Sequence, residues 1–464
     1  MKPSLPLTLT ALVLTCGAPF SSKAGIVLDW NNQALGAIQS SSTNTPMASR
    51  NLAMLQIAVY DAVNAIDGGH TSYHVSGTAP TGASMDAAAA SAANTILSAL
   101  YPALGSSFTS LYSDQLSAIS DSQAKTDGIN WGNDVATQIL NWRSSDGAAS
   151  AASTPYTPSG QLGGWATTPH SNPAYDFKNP PLVPGWGNVT PFAMTSGSQF
   201  RPDAFNGQSV LNYLATSQYA SDYNQVMSLG AKVGSTRTLD QTAAAYFWED
   251  RYGSITTAGK WNQIAQNLLG SSAGTAREAL VMAALNVALA DAAISSYDAK
   301  YIFDLWRPLT AIAYGDIDGN AATIGDGLAG IPGFGWEPLL DTPTSPELTS
   351  DGAALSSSAA TVLKNYFGDV AISLLGDTDG DGLADSTRNW ASLSEAATEA
   401  GMAGVYGGGS FGGSVEFAET SGQSAASNVV SNYFQPTQVP EPGSLMLLGI
   451  GVGMLARRRR TRQA

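Results

Sequence analysis

Apolar residues recur at three- and four-residue steps along most of the chain, the spacing that gathers them on one face of an α-helix. Over 50–66, Leu52, Leu55, Val59, Val63 and Ile66 form such a stripe. Residues 87–100 and 124–142 repeat it, and further helices are expected over 208–230, 239–248, 275–306, 350–366, 392–402 and 415–434. Thr275-Ala276-Arg277-Glu278 has the spacing of a capping box and would start the longest of these. Pro308 would end it, because the residue before a proline is pushed out of the helical region. Strand signals are few and no internal repeat is visible, so the expected fold class is all-α, a helical bundle.

Between 147 and 206 the periodicity gives way to Pro, Gly, Ser and Thr, with Pro180, Pro181, Pro184 and Gly185 close together. Such a stretch is a long ordered excursion or a boundary between two helical halves. The expected organisation is an N-terminal helical region over 25–146, a connecting region over 147–206 and a helical core over 207–434.

The two ends read differently from the body. Residues 1–24 carry Lys2, an apolar stretch over 5–18, and Ser22-Lys23-Ala24 as a small-x-small cleavage site, which together make a secretory signal peptide. Cys16 lies inside it after Thr15, a poor residue before a lipidated cysteine, so the exported chain would hold no thiol. At the other end, Val439-Pro440-Glu441-Pro442-Gly443 precedes an apolar run over 445–456, then Arg457 to Arg460 and Arg462. The segment 443–456 would span about 21 Å as a helix, short of a ~30 Å hydrocarbon core. This tail resembles the PEP-CTERM sorting signal of Gram-negative bacteria. The resemblance implies an exosortase as partner, transient membrane contact, removal of the tail, and delivery to the cell surface, outer envelope or extracellular matrix, with matrix polysaccharide as a candidate partner. A short unprocessed membrane anchor is the alternative.

Composition narrows the function classes. The chain of 464 residues has 36 acidic and 21 basic residues, a net charge of −15. Discounting both ends leaves 14 basic and 35 acidic residues, a net of −21. That balance argues against nucleic acid or an anionic lipid surface as partner of the body. Three histidines (His70, His74 and His170) and one cysteine are too few for zinc fingers, haem arrays or a disulfide framework.

Lys300 and Arg307 stand seven residues apart, so both cations would project from one face of the long helix at its end. An ammonium and a forked guanidinium there make an oxyanion clamp, with two solvated charges as the alternative. The run from Tyr297 through Lys300, Trp306-Arg307-Pro308 and Gly315 to Thr323 resembles the first motif, KxxxxxxRP, of vanadium-dependent haloperoxidases, which belong with the type 2 phosphatidic acid phosphatases. Arg50 to Met54 with Tyr60 to Asn64, the loop of Pro184 to Phe192, Ser198 to Pro202, and Trp261 to Ala265 are similar to the bacterial branch of that family. The likeness extends over roughly 27–433.

The resemblance implies an all-helical fold holding vanadate, or phosphate in the phosphatase relatives. The grip would come from the first-motif Lys and Arg, the Ser and Gly of a second motif, SGH, and the Arg of a third, SRxxxxxH. The third-motif His binds metal or attacks phosphorus, and the second-motif His acts as acid or base. In this chain the second motif falls on Pro346 to Gly352, where Ser350 matches, Asp351 stands at the Gly and Gly352 at the His. The third falls on 395–411, where Gly404 stands at the Arg and Ser410 at the His. The acidic position four residues later is Ser414. No histidine follows His170, so a shift of alignment restores none.

Asp377, Asp379, Asp381 and Asp385, at positions 1, 3, 5 and 9 with Gly382 at 6, resemble a Ca²⁺ loop, although position 12 is Arg388 rather than a bidentate Glu. A solvated acidic turn is the alternative. The resulting expectation is an exported, surface-sorted, haloperoxidase-fold protein that has lost both active-site histidines and serves a matrix or binding role. The alternative is an active haloperoxidase or phosphatase-like hydrolase with a remodelled site, using Asp351, Ser350 and the Glu249-Asp250 pair.

Overall fold

The computed structural model describes residues 25–167, 181–326 and 335–437. The expected signal peptide, Cys16, His170, Pro180 and the sorting tail lie outside the described residues. The fold is mostly helical. In chain order the helices are α1 (Ile26–Ser40), α2 (Thr45–Asp67), α3 (Met85–Leu100), α4 (Gly105–Ser117), α5 (Gln123–Arg143), α6 (Ala148–Ala151), α7 (Val210–Leu214) and α8 (Ser217–Leu229). Then come α9 (Leu239–Trp248), α10 (Thr256–Leu269), α11 (Thr275–Phe303), α12 (Pro308–Ala313) and α13 (Asp351–Phe367). A hairpin of β1 (Ile372–Gly376) and β2 (Ser386–Trp390) precedes α14 (Leu393–Tyr406) and α15 (Gly412–Asn432).

The centre of the fold is α11. Its residues are apolar on all sides, so no solvent-facing stripe exists and the helix must be enclosed. By length and composition it could cross a membrane, yet its most apolar stretch is wholly buried inside the protein, as a core helix is. It packs against α2, α13 and α15, while α3 packs on α2 and α5 and so extends the same core.

Local chemistry sets the helix ends. Asn44 accepts the N–H of Met47 to start α2, and Gly68, at φ 75°, closes it in the left-handed conformation that glycine adopts without steric cost. Ser350 caps α13 and Ser392 caps α14 in the same way as Asn44.

Several expectations need correction. Thr275 is not a cap: it is the first helical residue after Gly274, and its hydroxyl donates to Asp86 Oδ1 at 2.6 Å. Glu278 reaches instead to the backbone N–H groups of Val27 and Leu28. The long helix ends at Phe303, because Asp304 adopts a left-handed backbone (φ 53°), and Pro308 opens α12 rather than ending α11. Lys300 and Arg307 therefore do not share a helical face. The helix expected over 208–230 is two, since Thr216 takes an extended backbone and caps α8 through Tyr219. Helices α1, α4 and α10 and the hairpin had no expectation. The hairpin's burial alternates on β1 alone, over five residues, too short a period to stand out.

Buried carboxylates tie the loops to this core. Asp291, inside α11, accepts the N–H groups of Phe192, Ala193 and Met194 at 2.7, 2.7 and 2.8 Å, which lays the Pro/Gly-rich segment along the helix. Asp61 accepts Tyr73, His74 and Val75 likewise. Burial raises both carboxyls to about 6, against the N–H bonds that favour the charged form. A folded-state value above the unfolded one means that the native chain holds the extra protons between about pH 4 and pH 6, so this contribution to stability is lost as pH rises through about 6. The thermal midpoint is accordingly expected to be higher at pH 5 than at pH 8. Scanning calorimetry across that range checks the sign, and a midpoint rising steadily to pH 8 would contradict it.

Candidate functional site

Lys300 lies in the last turn of α11 and is 1% exposed. Its ammonium donates to the carbonyls of Pro346, Glu347 and Thr349 at 3.3, 3.3 and 2.6 Å and stands 3.2 Å from Asp351 Oδ1. Ser296, one turn earlier, donates to the same carboxylate oxygen at 2.9 Å. Arg307, in the extended link before α12, donates from Nε to the Ser345 carbonyl at 2.8 Å and from Nη2 to the Ser345 hydroxyl at 3.0 Å. Its Nη1 reaches the Gly409 carbonyl at 2.9 Å. The segment 345–351 thus wraps both cations.

Glu347, inside the second-motif segment of Pro346 to Gly352, is a further site residue. Its carboxylate is fully buried, accepts the Phe411 N–H at 3.1 Å and takes a short hydrogen bond from the Ser414 hydroxyl. Phe411 is the N-cap of α15 and Ser414 lies in its first turn, so Glu347 faces the positive end of that helix. Burial raises the Glu347 carboxyl, and the charge of Arg307 opposes the rise. Burial lowers Lys300 and Arg307, with Asp351 the largest opposing charge at Lys300 and Glu347 at Arg307. Two buried cations and two carboxylates make the cluster formally neutral as it stands.

The positions compared with the family motifs do come together. A methyl built on Gly404 would lie 3.0 Å from Ser410 Oγ and 3.7 Å from Ser350 Oγ, and one on Gly352 would lie 3.4 Å from the Ala400 carbonyl. Ser350 is spent on capping α13. Among the described residues the imidazoles are elsewhere. In the loop after α2, His70 forms a backbone bridge with Pro436 and His74 stacks on Trp142 with ring centroids 4.1 Å apart. Asp250 accepts the hydroxyls of Thr45 and Thr257, both at 2.9 Å, and Glu249 offers its carbonyl to Lys260 at 2.8 Å.

The acidic loop joins β1 to β2. Asp377, Asp379 and Asp381 each have an oxygen within 4.8 Å of the others. Asp377 already accepts the N–H groups of Asp379, Gly380 and Gly382 and pairs with Arg251 at 2.9 Å. Asp385 accepts Thr378, and Arg388 is held by Glu399 and Asp240 rather than facing the loop. The loop therefore closes on its own hydrogen bonds. At Asp316, Asp318 and Asn320 the same chemistry builds a turn, with Asp318 accepting Asn320 N–H and the Thr323 hydroxyl.

Removing one partner from a buried charge cluster leaves the others unpaired, at a cost of about 3–5 kcal/mol. Lys300→Met is expected to lower unfolding free energy by about that much, read by urea denaturation. A change below about 1 kcal/mol, the level of a solvated surface pair, would contradict the burial argument.

Three comparisons place these features among known proteins. Residues 280–438 match the family model described as the VCPO second helical-bundle domain, and 438–460 match the PEP-CTERM protein-sorting motif. No curated protein matches the chain. The crystal structure of the first bacterial vanadium-dependent iodoperoxidase superposes with a TM-score of 0.73 at 24% identity, covering 89% of this chain and 97% of that one. The apo form of a bacterial vanadium-dependent chloroperoxidase gives 0.64 at 16% identity, covering 83% and 92%, and a holo form gives 0.64 at 15%, covering 89% and 94%. The PEP-CTERM motif implies recognition by exosortase sorting machinery and export to the cell envelope or surface of a Gram-negative bacterium. With most of α11 and all of α13, α14 and α15 inside the matched region and both cations held between them, the chain has the fold of the vanadium haloperoxidase structures, and its C-terminal part matches the VCPO second helical-bundle domain ahead of a sorting motif.

Proposed function

We propose that this is an exported, surface-sorted protein of the haloperoxidase fold in which the oxyanion centre no longer turns over, and which serves a matrix or binding role. One observation carries the reading: both cations of the centre are already satisfied by the chain's own oxygens, with carboxylates where an anion would have to sit. Lys300 has three N–H donors and meets three carbonyls and Asp351. Arg307 spends its fork on Ser345 and Gly409. An incoming vanadate or phosphate would have to displace these partners and approach Asp351 and Glu347, like charges in a low-dielectric site. Gly352, Gly404 and Ser410 offer no cation, nucleophilic imidazole or general acid in compensation. The residues present do not fit vanadate. A matrix role agrees with the sorting motif and the acidic body, whose partners would be neutral or cationic surfaces, such as uncharged polysaccharide.

A second reading, a remodelled hydrolase, takes its support from the same convergence of Asp351, Glu347 and Lys300. The charge of Asp351 also reaches Asp250. Halide oxidation with hydrogen peroxide, phosphatase turnover and vanadate binding on the purified exported chain decide between them. The expected result is no turnover above the buffer rate and no vanadate binding. Turnover that Lys300→Ala abolishes would establish the second reading instead.

A further inference from the structure

Glu278 has no role in the centre described above, yet it is 1% exposed and its Oε2 finds no hydrogen-bond partner. It lies in the first turn of α11 and points at the start of α1. The two carboxylate oxygens lie so close to Gly25 that a methyl on that residue would sit 2.0 and 2.1 Å from them. Any larger residue at this position would force the Glu278 carboxylate to move away. Gly25 is the N-cap of α1 and has no side chain to cap it, so Glu278 supplies the anion from another helix, with the N–H groups of Val27 and Leu28 facing it.

Charge is what this arrangement lacks. Among the described residues Glu278 is paired with no basic side chain, and its charged neighbours are Asp29 and Asp86. Burial first, then these two carboxylates, raise it to about 7. A carboxylate so placed needs a cation.

The sequence supplies one by processing. Ser22-Lys23-Ala24 is the cleavage site read for the signal peptide, and Gly25 is the residue after it. Hydrolysis of the Ala24–Gly25 bond by a signal peptidase consumes one water, leaves a carboxylate on Ala24 and frees an α-amine on Gly25 that is protonated at neutral pH. That nitrogen is one bond from the α-carbon against which Glu278 lies. We infer that the Gly25 ammonium released on export forms a buried ion pair with Glu278, and that this pair locks α1 onto α11 in the mature protein only. The inference rests on the export reading and is independent of the state of the Lys300 and Arg307 centre.

The chain is expressed with its leader in a Gram-negative host, and the exported product is read by intact mass and N-terminal sequencing; Gly25 is the expected first residue. The mature chain is then melted with a free amine and with the N-terminal amine blocked by acetylation. Blocking is expected to lower the midpoint by about 2–4 °C, to have no effect in Glu278→Gln, and to lose its effect as pH rises above the α-amino range of about 8. An exported chain starting elsewhere would remove the cleavage site and the inference with it. Equal melting of free and blocked chains that both start at Gly25 would overturn the ion pair while leaving the export reading standing. Should Glu278→Gln fail to fold, the pH dependence of the free-minus-blocked difference decides: a difference unchanged from pH 7 to pH 10 overturns the pair.

Discussion

Two cations taken out of water dictate the architecture of the C-terminal half. A buried ammonium or guanidinium costs several kcal/mol unless every donor is met, and here the donors are met by backbone. Pro346, Glu347 and Thr349 turn their carbonyls to Lys300, while Ser345 and Gly409 turn theirs to Arg307. The segment 345–351 consequently has one path open to it, and that path sets where Ser350 starts α13. Glu347, carried on the same segment, then fixes the start of α15 through Phe411 and Ser414. Three helix ends are thus registered by one cluster of charge.

The same economy recurs where basic residues are scarce. With 36 acidic against 21 basic residues, pairing every buried carboxylate with a cation is not available to this chain. Asp291 and Asp61 are instead solvated by runs of three consecutive backbone N–H groups from a loop. The loops are held by the carboxylates as much as the carboxylates are held by the loops. Such an arrangement favours mildly acidic conditions, because protonation relieves desolvation before it breaks the surface pairs.

How much of this was legible in the sequence depended on whether the signal was local. Periodic stripes such as Leu52, Leu55, Val59 and Val63 located α2, since side-chain spacing alone decides which face is buried. The helix expected over 350–366 matches α13 for the same reason. The end of α11 was not: Asp304 adopts a left-handed backbone, and Trp306 then donates its N–H to the Gly163 carbonyl, a partner remote in the chain. The apparent capping box failed similarly, because Thr275 bonds Asp86 on α3 and Glu278 turns to the start of α1. Lys300, Arg307 and Ser350 could be named from motif spacing, and their grouping with Gly404 and Ser410 agrees with it. Glu347 could not be given a role that way, since a carboxylate earns one only from the helix end it faces.

Lys300 and Arg307 have a structural reason to be kept whatever the centre binds. Lys300 sits where α11 stops, and deleting it would leave the carbonyls of Pro346, Glu347 and Thr349 without the ammonium that meets them and Asp351 without its cation. Gly404 and Ser410 lie together as small groups beside this clamp. Asp351, still partly exposed and hydrogen-bonded by Ser296, stabilises the ammonium from the side an external oxyanion would use. The clamp of Lys300 and Arg307 therefore fastens the ends of α11, α13 and α15 independently of any chemistry at the centre.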